Sequence, residues 1–296
     1  MNILYVVPYV PGLVRVRPYN LIRSLSTLGH KVTVATLWTN EREREEAEQL
    51  INYCHQIEVE HLPQWRSMWN CLVSLPSLTP LQAVYSWHPG FAERLSTLAA
   101  DSSGQRLFDV IHVEHLRGVR YGLYLKSKRP EIPVVWDSVD CISHLFRQAA
   151  QHSRKWISRW LTQFELGRTE RYEGWLPGQF NHTLVTSPAD QDAILALDSH
   201  PKVPSTVSVL PNGVDLDYFN PISFEDREVD TLVISGKMSY HANVTMAVHL
   251  VQEIMPIIWK ERPEVKLWVV GKDPPREIAT LANNPAIRVT GTVLDI

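Results

Sequence analysis

Short, continuous apolar runs recur along the chain, and such runs are typical of strands that are buried on both faces of a parallel sheet. Between the first two runs, Leu21, Leu25 and Leu28 form one apolar helical face. We expect this helix to begin at Pro18 and to end at the C-cap residue Gly29. This strand–helix–strand order predicts the βαβ unit of an α/β fold. The strands predicted before residue 211 are Ile3–Val7, Val32–Leu37, Gln56–Leu62, Val110–Val113, the run that starts at Pro133, Thr183–Thr186 and Val207–Leu210.

Other patterns separate these strands. The charged run after Thr39 predicts a solvated helix with Thr39 as its N-cap, and Ser187 with Pro188 predicts the start of another helix. Residues 63–100 are rich in aromatic side chains, which belong to the core or line a sugar-binding groove, and we expect irregular structure there. Residues 140–175 are helical, with tryptophans among basic residues from 154 onward. That mixture fits a helix on an anionic membrane, but we favour a helix that packs across a domain with its arginines reaching water.

The strand pattern stops at Pro211 and restarts near residue 230. Pro211 cannot continue a strand, and Asn212 with Gly213 is a strong turn signal because both residues tolerate positive φ. The aromatic pair Tyr218 and Phe219 gives the emerging segment a side to bury. We therefore predict domains at 1–210 and 223–296, joined by a crossing segment at 211–222.

The second predicted domain repeats the alternation, which argues against a single sheet. Its first helix carries one apolar face, formed by Val244, Ala247, Val251, Ile254 and Ile258. The segment is short for an ordinary domain, so we expect it to be incomplete. Its predicted strands are Asp230–Gly236, Val265–Gly271 and Ile287–Val293.

Composition and charge restrict the class of protein. A content of 44% hydrophobic and 21% charged residues is globular, and the net charge of -3 gives no electrostatic case for a nucleic-acid partner. The scattered cysteines, Cys54, Cys71 and Cys141, indicate a reducing compartment rather than a disulfide framework or a zinc site. The chain opens on an apolar strand without a basic leader, so we expect a cytoplasmic protein.

Polar side chains collect where two predicted parallel strands end, which is the edge at which such sheets bind ligands. Glu114 and His115 follow one strand, and Asp137 and Asp140 follow another. A titrating carboxylate or imidazole at this edge can orient sugar or acceptor hydroxyl groups. Gly12 stands alone in the first loop, so there is no dinucleotide fingerprint and no Walker sequence.

The segment from Pro211 to Phe219, Pro-Asn-Gly-Val-Asp-x-x-x-Phe, resembles the interdomain segment of family-4 retaining nucleotide-sugar glycosyltransferases. The stretch from Asp109 resembles that family's Asp-Val-x-His-x-His motif, but Glu114 occupies the second histidine position and His115 follows it. The resemblance covers nearly the whole chain. It implies the GT-B fold of two Rossmann-like domains, here with a C-terminally truncated second domain.

The resemblance also implies site residues. The second domain matches the family where a strand leads into Gly236 and Lys237, but its second basic position is not basic, and His241 stands near it. Catalytic roles fall to His115 and Glu114. The implied donor-binding residues are Gly12, Gly236, Lys237, His241, Asn243 and Gly271, and the acceptor-binding residues are Arg15, Arg17, Tyr19, Asp137 and Asp140.

The function implied by the resemblance is metal-independent, retaining transfer of a sugar from a nucleotide-diphosphate sugar to a glycan or lipid-linked acceptor. We expect a role in bacterial surface or exopolysaccharide synthesis, no further cofactor, and peripheral contact with the inner membrane face. A truncated remnant that binds acceptor or nucleotide without catalysis is the alternative. A metal-dependent transferase using Asp215 with Asp217, or Asp190 with Asp192, and a nucleotide-sugar epimerase of the same fold remain open.

Overall fold

The computed structural model describes residues 1–12, 15–100, 105–152, 156–197, 206–216, 218–219 and 227–293. The chain divides into two compact units, Met1–Leu216 and Asp217–Ile296. Asp217, the basic pair at 154–155 and the predicted boundary at 222–223 lie outside the described residues.

The first unit contains a parallel sheet of seven strands. They are β1 (Asn2–Val7), β2 (Lys31–Trp38), β3 (Gln56–His61), β4 (Val110–Glu114), β5 (Val134–Val139), β6 (His182–Val185) and β7 (Val207–Val209). Their order is β3-β2-β1-β4-β5-β6-β7, and every neighbouring pair is parallel. The predicted α/β class is confirmed.

Helices cover both faces of this sheet. They are α1 (Val16–Thr27), α2 (Glu41–Gln49), α3 (Gln64–Ser74), α4 (Leu81–Tyr85), α5 (Pro89–Leu98), α6 (His115–Lys128), α7 (Ile142–His152), α8 (Trp156–Trp175) and α9 (Pro188–Leu197), with 3-10 turns at Leu50–Tyr53 and Leu176–Gln179. Successive β1 side chains alternate between two apolar clusters, with Leu4 and Val6 in one and Ile3, Tyr5 and Val7 in the other. The sheet is therefore buried on both sides, as its continuous apolar strands predict.

The prediction of irregular structure at residues 63–100 is wrong, because this stretch forms α3, α4 and α5. Its aromatic residues serve two environments. Phe91 is buried against Tyr121, whereas Trp65 and Trp69 are exposed. These mixed environments hide the helical period from a sequence analysis that expects one buried face.

Two helix ends also differ from the prediction. Asn40, rather than Thr39, is the N-cap of α2, since its side chain accepts a hydrogen bond from the Glu43 amide. Thr39 instead donates to the Glu43 carboxylate. Leu28 follows the last residue of α1 and is exposed, so it contributes nothing to the apolar face of the helix.

The second unit contains a smaller parallel sheet in the order β10-β9-β8. Its elements are β8 (Thr231–Ser235), α10 (His241–His249), a π-helical segment (Leu250–Ile254), α11 (Met255–Glu261), β9 (Lys266–Val270), α12 (Arg276–Ala279), a 3-10 turn (Thr280–Asn283) and β10 (Ile287–Gly291). Ala247, Leu267 and Val269 lie in its core. Within the described residues β8 pairs only with β9, and its Leu232 and Val233 side chains are exposed.

The apolar face predicted for residues 244–258 is interrupted. The π-helical segment adds a residue to one turn, so Met255 is buried while Ile254 is exposed. Pro256 explains the change, because it has no N–H to continue the ordinary α-helical ladder. Tyr218 and Phe219 also differ from expectation, since each is more than half exposed.

Candidate active site

The carboxyl ends of β4 and β5 hold the chain in uncommon backbone conformations. His115, the first residue after β4, has φ of 63°, and Val139, the last residue of β5, has φ of 68°. Positive φ is unusual for any residue except glycine, and a β-branched valine with positive φ is a clear outlier. Such strain persists where the surrounding structure enforces it, and it concentrates at functional sites. Both residues lie at the ligand-binding edge of a parallel sheet.

Glu114 ends β4 and lies beneath two tyrosines. Its carboxylate accepts a 2.6 Å hydrogen bond from the Tyr5 hydroxyl at Oε2 and a 2.8 Å bond from the Tyr9 hydroxyl at Oε1. Glu114 is only 1% exposed. Tyr5 is fully buried in β1, whereas Tyr9 is only partly buried in the loop that follows. Tyr9 therefore connects the buried carboxylate with the surface.

Burial raises the pKa of Glu114 to about 7, because the ionised carboxylate loses its hydration. The two tyrosine hydrogen bonds oppose this shift, and the negative charge of Asp137, its register partner on β5, adds to it. Burial and Glu114 also raise the pKa of both tyrosines. Glu114 can therefore change protonation near neutral pH while both hydroxyl groups stay protonated.

Asp137 is fully buried and forms an ion pair with Arg17 of α1. Arg17 donates from Nε at 3.0 Å and from Nη2 at 2.8 Å to Asp137 Oδ2. Its Nη1 donates to the Leu210 carbonyl at 2.9 Å and to Asn212 Oδ1 at 3.0 Å. One planar guanidinium thus joins the end of β5 to the turn after β7. Both charges are paired within the protein, so neither is available to bind an acceptor.

His112 lies beside Asp137 and is neutral. Its ring stacks on Tyr5 at a centroid distance of 4.2 Å, as expected for register partners on β4 and β1. Its Nε2 is 3.7 Å from Asp137 Oδ2 and has no hydrogen-bond partner among the described residues. Burial lowers the His112 pKa to about 4.

His115 and Arg15 lie beside Tyr9. The His115 ring meets the Tyr9 ring edge-on at 6.0 Å, and His115 Nδ1 accepts a 3.2 Å hydrogen bond from the Arg117 amide. Burial lowers the His115 pKa to about 4, so the imidazole is neutral at physiological pH. The Arg15 guanidinium lies 4.9 Å above the Tyr9 ring and pairs with Glu43 at 3.3 Å. Arg15 is exposed and His115 is only partly exposed, whereas Arg17 is buried.

The remaining predicted residues of the first unit, Tyr19, Asp140 and Gly12, make other contacts. Tyr19 packs edge-on against Tyr53 at 5.6 Å, on the opposite side of α1 from Arg17. Asp140 accepts a 3.4 Å hydrogen bond from Thr186 Oγ1, and burial raises its pKa. Gly12 donates a 3.4 Å backbone hydrogen bond to the Arg15 carbonyl, which folds the first loop.

In the second unit, two glycines touch where β8 and β9 end. Gly236 has φ of 157° and Gly271 has φ of 148°. A Cβ on Gly271 would lie 1.7 Å from the Gly236 carbonyl oxygen, and one on Gly236 would lie 2.8 Å from Asn243 Nδ2. Neither position admits a side chain, so the backbone at this strand edge stays uncovered.

The loop after Gly236 leads directly into α10. Asn243 Nδ2 donates at 3.0 Å to the Lys237 carbonyl, which closes the loop over the first turn of the helix. The buried Met238 anchors this loop, and the side chains of Lys237 and His241 are exposed. Two basic side chains thus lie beside backbone N–H groups at a helix N-terminus, which is an arrangement that attracts anions.

The sequence of this chain matches a known family profile. The profile of Glycosyltransferase Family 4 covers residues 14–218, which is more than half of the chain. The chain belongs to this family. The predicted family is confirmed, and the protein is a transferase.

The chain is similar in fold to solved structures. A protein from Anabaena, HepE, crystallised with UDP and glucose, has a TM-score of 0.57 at 15% identity over 99% of this chain and 70% of its own. A lipopolysaccharide outer core galactosyltransferase in its apo form has a TM-score of 0.53 at 9% identity over 99% and 69%. These likenesses confirm the predicted GT-B fold. No sequence among the curated proteins matches the family-4 chain.

Two of the four aspartates considered for a metal-dependent enzyme, Asp190 and Asp215, have protein partners. Asp190 accepts hydrogen bonds from the Cys141 amide at 2.9 Å and from the hydroxyl of Ser187 at the start of α9, and Asp215 pairs with Arg23 at 2.9 Å. Among the described residues, no three His, Cys, Asp or Glu side chains converge as metal ligands. Within the same residues, no helix has the length and apolar character needed to cross a bilayer.

Several residues of the cluster around Glu114 carry no local sequence signal. Tyr5 and His112 lie within apolar strand runs, where polar side chains are taken for core, and Tyr9 lies in a loop without a motif. Asn212 was assigned to a turn only. The pairing of β1 with β4 brings Tyr5 beside His112, and this pairing is the information that the sequence lacks.

Proposed function

We propose that this family-4 protein transfers a sugar from a nucleotide-diphosphate sugar to a glycan or lipid-linked acceptor, with retention of anomeric configuration and without a metal. The reaction serves the synthesis of a bacterial surface polysaccharide or exopolysaccharide. It takes place in the cytoplasm, in peripheral contact with the inner membrane face, where a lipid-linked acceptor is held.

The observation that carries this proposal is the loop between Gly236 and α10. The contact between Gly236 and Gly271 lets a diphosphate approach the backbone closely, since no Cβ intervenes. The N-terminus of α10 offers unpaired N–H groups, and Lys237 and His241 add exposed donors. Preorganised donors of this kind stabilise the charge that develops on a departing diphosphate, so they accelerate transfer without a metal.

The first unit supplies the acceptor side in this proposal. Tyr9, Arg15 and His115 are the accessible members of the cluster at the sheet edge. Because Nδ1 of the neutral His115 imidazole accepts the Arg117 amide, its Nε2–H can donate a hydrogen bond to a sugar hydroxyl group. Glu114 is too buried to touch substrate, so it acts as a positioning residue that fixes the Tyr9 hydroxyl. The Arg17–Asp137 pair holds the strand ends beneath them.

Isothermal titration tests donor recognition. UDP and GDP are titrated into the chain in EDTA and then with excess Mn²⁺, and UDP comes first because HepE was crystallised with it. We expect UDP to bind equally in both conditions. Lys237→Ala is expected to weaken binding about tenfold or more, since it removes a charge-assisted hydrogen bond to phosphate. Lys266→Ala is the matched control, because Lys266 is an exposed lysine at the opposite end of β9.

Each outcome distinguishes the alternatives. Binding that requires Mn²⁺ contradicts the metal-free mechanism. Binding that Lys237→Ala and Lys266→Ala weaken equally contradicts the assigned donor loop. Absence of binding to either nucleotide in both conditions favours the alternative of a non-catalytic remnant and leaves the fold assignment intact. The anomeric configuration of a transferred sugar, measured by NMR, then decides retention against inversion.

A further inference from the structure

Helix α3 turns its polar side chains inward and its apolar side chains outward. Ser67 and Ser74 are buried. A surface helix ordinarily shows the reverse arrangement, and contiguous exposed apolar surface commonly marks a binding site. The exposed residues recur at helical spacing and are 57–71% exposed: Trp65, Met68, Trp69, Leu72 and Val73.

This apolar face continues into a cavity of about 430 Å³ that α3 shares with α4, α6 and α8. The volume lies within the range of about 300–1,000 Å³ that is usual for small-molecule sites. Trp69 and Val73 belong both to the exposed face and to the cavity lining. Trp87 and Tyr172 extend the apolar wall further inside. An elongated apolar group could therefore lie continuously along α3 and in the cavity.

Arg120 is the charged side chain among the residues that line the cavity, and no described acidic residue pairs with it. The Arg120 guanidinium lies 4.6 Å above the Trp87 ring and forms no hydrogen bond or ion pair within the described residues. Burial lowers the Arg120 pKa, and the neighbours that raise it are the tyrosines Tyr172 and Tyr121 rather than carboxylates. A partly buried cation without an anion is costly, and a bound anion would remove that cost.

The surroundings of the cavity favour an anionic ligand as well. Residues 61–92, which include α3 and α4, contain no Asp or Glu. The acidic residue Glu165 of α8 is already occupied, since it accepts hydrogen bonds from Arg168 at 2.7 Å and from the Leu81 amide at 2.8 Å. Arg168 also donates to the carbonyls of Ser74 and Thr79 in the cavity wall. The wall is thus fixed before a ligand arrives.

The cavity and the candidate active site share helix α6. Arg120 follows His115 by five residues on α6, which is an axial distance of about 7.5 Å at 1.5 Å per residue. A molecule held by Arg120 could therefore reach the strand edge with its other end.

We propose that this cavity binds an anionic amphiphile. Its phosphate or other anionic group pairs with Arg120, and its hydrocarbon chain packs against Trp69 and Val73, where the cavity opens onto α3. The ligand is the carrier portion of the acceptor, and this last assignment rests on the proposed sugar transfer, whereas binding itself does not.

The test is isothermal titration of the full chain with decyl phosphate, held below its micelle-forming concentration. We expect decyl phosphate to bind at least tenfold more tightly than decyl glucoside, which lacks the anion, and than ethyl phosphate, which lacks the chain. Arg120→Gln is expected to reduce binding at least tenfold, and Arg120→Lys is expected to restore part of it. Lys128→Gln is the control, because it removes a charge from the exposed last turn of the same helix.

A tryptophan pair tests whether the ligand occupies the cavity. Trp69 and Trp65 are both exposed on α3, but only Trp69 is among the residues that line the cavity. We expect Trp69→Ser to weaken decyl phosphate binding at least tenfold and Trp65→Ser to weaken it less than threefold. Both side chains are exposed, so neither change threatens folding.

Two results overturn the proposal. Equal losses in the two tryptophan variants mean nonspecific adsorption to the helix surface, and unchanged binding in Arg120→Gln excludes the anion site. UDP titration of the same samples separates this outcome from a failure of the proposed transfer, since donor binding depends on Lys237 and not on the cavity. If UDP binds and decyl phosphate does not, the amphiphile site is contradicted while the proposed sugar transfer is not.

Discussion

The buried carboxylate of Glu114 gives the stability of the first unit a defined pH dependence. Its pKa rises from the ordinary value of 4.5 to about 7 on folding. Between these values the folded protein holds a proton that the unfolded chain releases, so the free energy of unfolding falls as pH rises. Glu114→Gln removes this titration and keeps an amide that can bond to both tyrosine hydroxyls.

The magnitude follows from the shift. A change of about 2.5 units, at about 1.36 kcal/mol per unit, amounts to about 3 kcal/mol of stability lost between pH 4.5 and 7. The neutral histidines His112 and His115 act in the opposite direction, because their lowered pKa values add stability as pH rises from about 4 toward 6.5. They are present in both proteins and cancel in the difference between wild type and variant.

Hydrogen exchange of the β1 and β4 amides measures the result, since these strands belong to the unit that contains Glu114. We expect the stability difference, variant minus wild type, to increase by about 3 kcal/mol from pH 4.5 to pH 8. Glu46→Gln, a change at an exposed carboxylate of α2, is the control and should follow wild type. A constant difference between Glu114→Gln and wild type across this range would refute the reasoning.

Two further predictions concern single residues. Arg17→Met leaves a fully buried aspartate without its cation and should destabilise the first unit by about 3–5 kcal/mol in urea unfolding. The control Arg42→Met breaks an exposed pair and should cost less than about 1 kcal/mol. Similar losses in both variants would show that the Arg17 pair is not effectively buried. Gly271→Ala places a Cβ 1.7 Å from the Gly236 carbonyl oxygen and should abolish hydrogen-exchange protection of β9. Gly178→Ala meets no atom within 4 Å and should leave protection unchanged, so native protection in Gly271→Ala would contradict the assigned glycine contact.

The sequence was sufficient for the fold because strands buried on both faces leave continuous apolar runs. It failed where helices do not show one apolar face to a core. Helix α3 exposes Trp69 and buries Ser67, so its pattern opposes the usual rule. The apolar face predicted in the second unit was wrong for a different reason. Pro256 shifts the helical register by a π-turn, so Met255 rather than Ile254 lies in the core.

For the candidate site, the sequence predicted the position of the sheet edge but not the side-chain contacts. Polar residues after apolar strands identify the sheet edge, and this placed Glu114 and Asp137 correctly at it. Which side chains are accessible depends on contacts between distant segments, such as Arg17 with Asp137, and no local pattern encodes them. Tyr9 shows the same limit, because its importance arises from a hydrogen bond to a residue more than a hundred positions away.

Strand β8 has a consequence for handling the protein. Its outer edge carries backbone donors and acceptors that no described strand satisfies, and Leu232 and Val233 add exposed apolar surface. An open edge of this kind is a template on which a second molecule can add its own strand. We therefore expect any self-association through β8 to increase with protein concentration.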